Sequence, residues 1–294
     1  MVLVIALQIT AAQIINSIII GLVQGISEWL PISSKTQVLV TATYLLNLSF
    51  QQAYSFGLFM EIGSTLAAII YFRKDLLALI GVVLGNRDSH NVELFKYVFV
   101  ATVCTGIIGA PLYLFADNVK GIPVWLPMLI IGLVLIGDAL LIRHARMKQK
   151  MGENVRKFSN LSLRDYIIIG IAQGIAALPG VSRSGITTST MLLMKIEADE
   201  AFRLSFLVGI FASIAAFSLT LIASKSNIAP ALAAIGIPGL LVAIAAATIT
   251  SLFLIDFLLK VAKKSSIVYL TAALGIIAIA SSMLYLWLGV AAVG

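Results

Sequence analysis

Six stretches of this chain, at roughly 54–72, 96–116, 124–142, 202–224, 236–259 and 266–290, stay apolar for the ~20 residues that an α-helix needs to cross a bilayer. Hydrocarbon offers no water to satisfy a backbone, so a spanning segment must be a helix or part of a closed barrel. Unbroken runs of this length predict helices. The expected fold class is an all-α polytopic membrane protein, read as a single integral-membrane domain over residues 1–294. Composition agrees, with 60% hydrophobic and only 11% charged residues, against about 25% charged in a soluble domain. The single cysteine, Cys104, excludes an intramolecular disulfide. No basic segment precedes the first apolar run, so a cleaved signal peptide is not expected.

Two further regions, about 8–46 and 166–196, are apolar but interrupted at the middle by Gly, Pro, Ser and charge. Irregular backbone at membrane depth is tolerated only where protein buries it or it lines a wet cavity. Both regions are therefore predicted to be re-entrant helix–turn–helix hairpins. The net charge of +7 sits mostly in short loops. Arg73, Lys74, Arg87 and Lys96 bracket one loop; Arg143, Arg146, Lys148, Lys150, Arg156, Lys157 and Arg164 crowd a second; Lys260, Lys263 and Lys264 form a third. The competing loops near 117–123 and 225–235 hold only Lys120 and Lys225. The positive-inside rule makes the first three cytoplasmic and puts both termini outside, in a multi-pass protein of the cell membrane. Aromatic-interleaved basic stretches are missing, so nucleic acid is not an expected partner. Membrane lipids are, and a homo-oligomer is compatible with the chain.

The two interrupted regions resemble each other. Gly21-Leu22-Val23-Gln24-Gly25-Ile26 is echoed by Gly170-Ile171-Ala172-Gln173-Gly174-Ile175, and Ser55-Phe56 by Ser205-Phe206. Pro31, Ser33 and Ser34 follow the first motif; Pro179, Ser182 and Ser184 follow the second. Each half, about 8–143 and 165–290, then holds one hairpin and three spans. Three is odd, so the second half is inverted relative to the first. The two hairpins are opposed and meet near the midplane, as in inverted-repeat transporters.

Both hairpin turns carry polar groups suited to phosphate. In the first, Gln24 and Glu28 share a helix face, Pro31 ends or kinks that helix, and Ser33, Ser34, Lys35 and Thr36 follow. A helix restarting after Ser34 would point its N-terminus at an anion. The second reads Pro179-Gly180-Val181-Ser182-Arg183-Ser184-Gly185-Ile186-Thr187. An arginine at membrane depth is costly and seldom incidental. Its planar fork matches phosphate oxygens, and Ser182, Ser184 and Thr187 supply further donors. Glu61 is a third intramembrane charge. Glu28 and Glu61 together are candidate ligands for a divalent cation, because hard cations prefer oxygen. Plainer roles exist for each group. Hydroxyls often serve only interhelical packing, Arg183 could pair with either glutamate, and Lys35 could reach for the interface. Asp138 and Asp256 sit near span ends, where solvation explains them.

Taken together, these motifs resemble the undecaprenyl-diphosphate phosphatase family, also called the bacitracin-resistance protein family. The resemblance rests on Gly25 to Ser34, on Ile62-Gly63-Ser64, on Pro179 to Ser189 and on Leu204-Ser205-Phe206-Leu207. It implies six spans with two opposed hairpins. It also implies hydrolysis of a long-chain polyprenyl diphosphate to the monophosphate lipid carrier, dependent on Mg²⁺ or Ca²⁺. Glu28 falls on the family's essential glutamate, Ser34 on its nucleophilic or phosphate-contacting serine, and Arg183 on its phosphate-binding arginine. Three positions depart. The family usually has glutamate at Gln24 and histidine at Gln37, and many relatives have glutamine at Glu61. An acid and an amide look exchanged between positions 24 and 61, leaving Gln24, Gln37 and Gln173 as the amides expected in the polar pocket. The missing histidine leaves proton transfer to Glu28, Glu61 or metal-bound water, and tilts the expectation toward water rather than Ser34 as nucleophile. The rival expectation is a polyprenyl-phosphate transporter with little or no catalysis, which the inverted repeat would serve equally well.

Overall fold

The computed structural model describes residues 9–30, 33–116, 125–150, 155–178, 181–223, 225–262 and 267–287. These form eleven α-helices in chain order: α1 (Ala11–Ser27), α2 (Ser34–Leu46), α3 (Phe50–Tyr71), α4 (Arg73–Val83), α5 (Ser89–Ala116), α6 (Trp125–Lys150), α7 (Leu163–Ile175), α8 (Arg183–Leu193), α9 (Ala198–Ala223), α10 (Lys225–Ala262) and α11 (Ile267–Trp287). Five of them, α3, α5, α9, α10 and α11, hold segments long and apolar enough to cross a membrane. The protein is an all-α, multi-pass membrane protein. The stretch predicted at 124–142 forms the front of α6, which lies outside those five.

Each interrupted region is a pair of helices around a short turn, α1–α2 and α7–α8. Local chemistry sets their ends. Thr10 and Gln13 form a capping box at the start of α1, as do Ser162 and Asp165 at α7, satisfying amides that have no partner in the first turn. Arg156 also donates to both Asp165 oxygens, at 3.1 and 2.6 Å. That pairing, with burial opposing it and the Ser162 bonds assisting, holds the Asp165 carboxyl down at about 2. The turn residues Pro31, Pro179 and Gly180 lie outside the described residues.

Two expectations are corrected. Residues 225–235, read as a loop, are the first part of α10. The break comes instead at Gly236, in a left-handed conformation (φ 69°), and Pro238 follows, well placed to open the next helical turn. Residues 73–83, read as part of a cationic loop, form α4, whose Leu79 is buried and whose Asp75 pairs with Arg203 of α9.

The packing crosses between the halves. Helix α1 lies against α10, and α7 against α5. Glycines set both contacts at matching positions. A Cβ on Gly25 would meet Ala247 O at 2.7 Å and Thr250 Cβ at 2.8 Å; one on Gly174 would meet Ile108 Cβ at 2.7 Å. A valine at Gly25 therefore has to push backbone aside, and overpacking of this kind costs about 1–3 kcal/mol. Gly25→Val is expected to lower Tm by several degrees in a detergent thermal melt. An unchanged Tm would mean that the α1–α10 contact relaxes freely.

Candidate active site

The two hairpin turns meet. Glu28 caps the end of α1, its N–H on Gln24 O at 3.0 Å, and its side chain is buried. Across the turn Ser33 takes a left-handed conformation (φ 58°) and α2 restarts at Ser34. This sharp reversal brings Ser34 Oγ within 2.6 Å of Glu28 Oε2, to which it donates. Gln24, one turn before Glu28, donates its Nε2 to the same oxygen at 2.7 Å and to Ser64 Oγ at 3.0 Å.

Arg183 opens α8 behind Ser182, whose hydroxyl caps the helix by accepting from Gly185 N at 3.2 Å. Its guanidinium bridges both glutamates. Nη2 donates to Glu28 Oε1, and Nη1 lies 3.4 Å from Glu61 Oε2. Nη1 also donates to Gly209 O at 3.0 Å and to Ser213 Oγ, which in turn donates to Glu61 Oε2 at 2.9 Å. Gly209 lies beside the fork: a Cβ there would stand 3.6 Å from Arg183 Nε, an ordinary contact. Ser184 Oγ reaches back to Glu28 O (3.2 Å) and Leu30 O (3.3 Å), stitching one turn to the other.

Lys35 does not reach for an interface. It is buried, and its Nζ donates to Ala176 O at the end of α7. Tyr54 Oη holds the next carbonyl, Ala177 O, at 3.0 Å. Above these groups lies a cavity of about 300 Å³. Its floor includes Lys35, Glu61 and Arg183, with Gln173 on its wall. Gln173 is held by Thr105, Nε2 to Oγ1 at 3.1 Å.

The polar groups singled out in the sequence are thus distributed unevenly. Glu28, Glu61, Ser34, Arg183 and Gln24 form one hydrogen-bonded cluster. Ser182 and Ser184 are engaged in the turns, and Ser33 Oγ pairs with Thr36 Oγ1 at 3.0 Å. Thr187 is fully buried on α8, its hydroxyl without a partner among the described residues. Gln37 lies half-buried one turn along α2, its N–H on Ser33 O at 3.1 Å. Asp256 carries out the plain role expected of it, bound to Lys260 at 2.5 Å; the side chain of Asp138 lies outside the described residues. Ser213 and Gly209 were not foreseen, and Ser64 was noted only within the motif Ile62-Gly63-Ser64. A lone serine or glycine in an apolar helix carries no signal of its own.

A model of the bacitracin resistance protein BacA matches residues 17–280, which takes in every member of this cluster. The chain belongs to the BacA family. Among curated relatives, the undecaprenyl-diphosphatase of Sulfurisphaera tokodaii is 48% identical over 92% of this chain and 98% of its own length. Those of Saccharolobus solfataricus and Pyrobaculum aerophilum are 46% and 39% identical, each across 96% of its own length.

A hard divalent cation suits the donors that this BacA-family site presents. Glu28 and Glu61 offer carboxylate oxygens, and Gln24 Oε1 is buried without a partner among the described residues, an orphan that is costly unless something fills it. Among the described residues no three His, Cys, Asp or Glu side chains cluster for a metal. Substrate oxygens or water would have to complete the shell, as is usual for Mg²⁺.

Proposed function

We propose that this protein hydrolyses a long-chain polyprenyl diphosphate of the undecaprenyl type to the monophosphate and inorganic phosphate, as the names of its relatives describe for them. The observation that carries the reading is the Ser34–Glu28 pair held by Arg183, which itself lines the cavity with Lys35 and Glu61. A nucleophile needs a base within ~2.6–3.2 Å, and Ser34 Oγ stands 2.6 Å from Glu28 Oε2. Of the groups expected to replace the missing histidine, this contact favours Glu28, and the balance moves from water back to Ser34.

In this reading Arg183 turns its fork from the glutamates onto the terminal phosphate, and released Glu28 takes the Ser34 proton. Ser34 Oγ bonds to the terminal phosphorus while the bond to the bridging oxygen breaks, and the prenyl monophosphate leaves. Glu28 passes that proton to the departing monophosphate, then takes one from the water that attacks phosphorus and hands it to Ser34 Oγ as the P–Oγ bond breaks. Lys35 and Thr187 add donors, and Ser33, Ser182 and Ser184 fix the two turns around the phosphate. The formal charges of Lys35, Arg183, Glu28 and Glu61 cancel, so a bound diphosphate leaves an excess of negative charge. Mg²⁺ or Ca²⁺, held by Glu28, Glu61 and Gln24, would offset that excess and draw charge from the phosphate oxygens.

The architecture belongs to the same proposal. It comprises six spans counting α6, two opposed re-entrant hairpins, and inverted repeats at about 8–143 and 165–290 within one membrane domain. Both termini are outside. The exchange of α1 onto α10 and α7 onto α5, through glycines at equivalent positions, supports the repeat.

Purified protein in detergent is expected to release phosphate from undecaprenyl diphosphate with Mg²⁺ or Ca²⁺ and to stop in EDTA. Release undiminished in EDTA would remove the cation from the scheme. Binding without release under any condition would make the protein a carrier instead.

A further inference from the structure

The cavity is too small for its proposed substrate, and its shape says where the remainder goes. Ligand pockets span roughly 300–1,000 Å³, and this one, at about 300 Å³, has room for a headgroup and the first isoprene units only. Three of its sides are tied shut. Lys35 Nζ on Ala176 O and Tyr54 Oη on Ala177 O fasten the end of α7 to α2 and α3. Thr105 fastens α5 to α7 through Gly170 O at 3.1 Å and Gln173.

The fourth side is the seam between α5 and α9. Tyr97 Oη pins the two helices at one end, on Leu204 O at 3.0 Å. Further along, Gly106 and Ala110 on α5 and Ala212, Ala215 and Ala216 on α9 line the cavity, with Thr102, Tyr113 and Leu219 beside them. Gly106 and Ala215 line the cavity and are exposed. A Cβ on Gly106 would meet nothing within 4 Å.

We propose that the α5–α9 seam is the portal through which the prenyl chain passes from the headgroup site into the bilayer, with Gly106 and Ala215 as its lateral threshold. This rests on the phosphatase reading for the headgroup but assigns residues outside the polar cluster. An apolar chain suits the slot at this seam because its wall is glycine, alanine and Leu219, apart from the hydroxyls of Thr102 and Tyr113. Small side chains leave the width that a branched isoprenoid needs. A larger side chain at Gly106 points into open space, so it would fill the slot without disturbing the packing.

Gly106→Phe, Ala215→Phe and the control Gly106→Ala distinguish the outcomes. Phosphate release and equilibrium binding are both measured, with undecaprenyl and geranyl diphosphates for turnover and the corresponding radiolabelled monophosphates for binding. The Phe variants are expected to raise KM and weaken binding for the long chain about tenfold. For geranyl, both quantities should stay within twofold, because a short tail folds inside the cavity. Gly106→Ala should match the unaltered protein. Equal loss for both chain lengths, or none for either, overturns the portal. If the unaltered protein binds the long chain but releases no phosphate, the phosphatase reading falls, while the binding arm still decides the portal.

Discussion

Arg183→Ala is expected to reduce phosphate release on the order of 10³-fold, comparable to loss of an arginine that stabilises transferring phosphoryl charge. The substitution also removes the one cation that contacts both Glu28 and Glu61. Breaking a buried pair by deleting one partner costs about 3–5 kcal/mol, because charge is left uncompensated. Lost activity alone would therefore not tell catalysis from unfolding. Two further variants do. Arg183→Lys keeps the charge but lacks the planar fork that spans Glu28 on one nitrogen and Glu61, Gly209 O and Ser213 on the other. It should recover stability in part and activity hardly at all. Arg183→Gln combined with Glu61→Gln removes one charge of each sign. It should melt closer to the unaltered protein and remain inactive. If that double variant hydrolysed substrate normally, Arg183 would be a structural counterion and the phosphate grip would lie elsewhere.

The parts legible in the sequence were those governed by local rules. Span length follows from bilayer thickness, so α3, α5, α9, α10 and α11 fell close to the predicted stretches. Glu28 and Gln24 on one face follow from helical spacing. The break inside α10 was misplaced because hydropathy registers polarity, whereas the chain turns at Gly236 through a backbone conformation that polarity does not report. Lys35 was undecided because snorkelling and burial differ only in whether an acceptor waits. That acceptor, Ala176 O, lies 141 residues away. Ser213 was invisible for the same reason: its role depends on Arg183 and Glu61 arriving beside it from other helices. The site was readable as an inventory of charges, and its wiring was not.

That wiring gives Glu61 a testable part. Glu28 touches Ser34, whereas the Glu61 carboxylate touches only Arg183 and Ser213 among the bonded groups described. If Glu28 alone mattered, neutralising Glu61 would be mild. The charge balance argues otherwise, since the two cations of the cluster are matched by two carboxylates and a divalent ion needs both. Glu61→Gln is expected to lower turnover about as far as Glu28→Gln, on the order of 10²-fold, and to raise the cation concentration needed for half-maximal rate. The contacts also indicate how to rescue it. Gln24 Nε2 reaches Ser64 Oγ at 3.0 Å, and Ser64 Oγ donates to Glu61 O at 3.0 Å, so position 24 faces the same pocket from α1. Moving the acid there, as Gln24→Glu in the Glu61→Gln background, restores two carboxylates, both now carried by α1. It should recover most of the rate and the ordinary cation requirement. Gln24→Glu alone places three acids around Arg183 and should bind the cation more tightly without turning over faster. Full activity in Glu61→Gln would show that the second carboxylate is dispensable. Failure of the double variant beside a crippled single one would show that the pocket reads the position of the charge, fixed by Ser213 and Arg183, and not merely its presence.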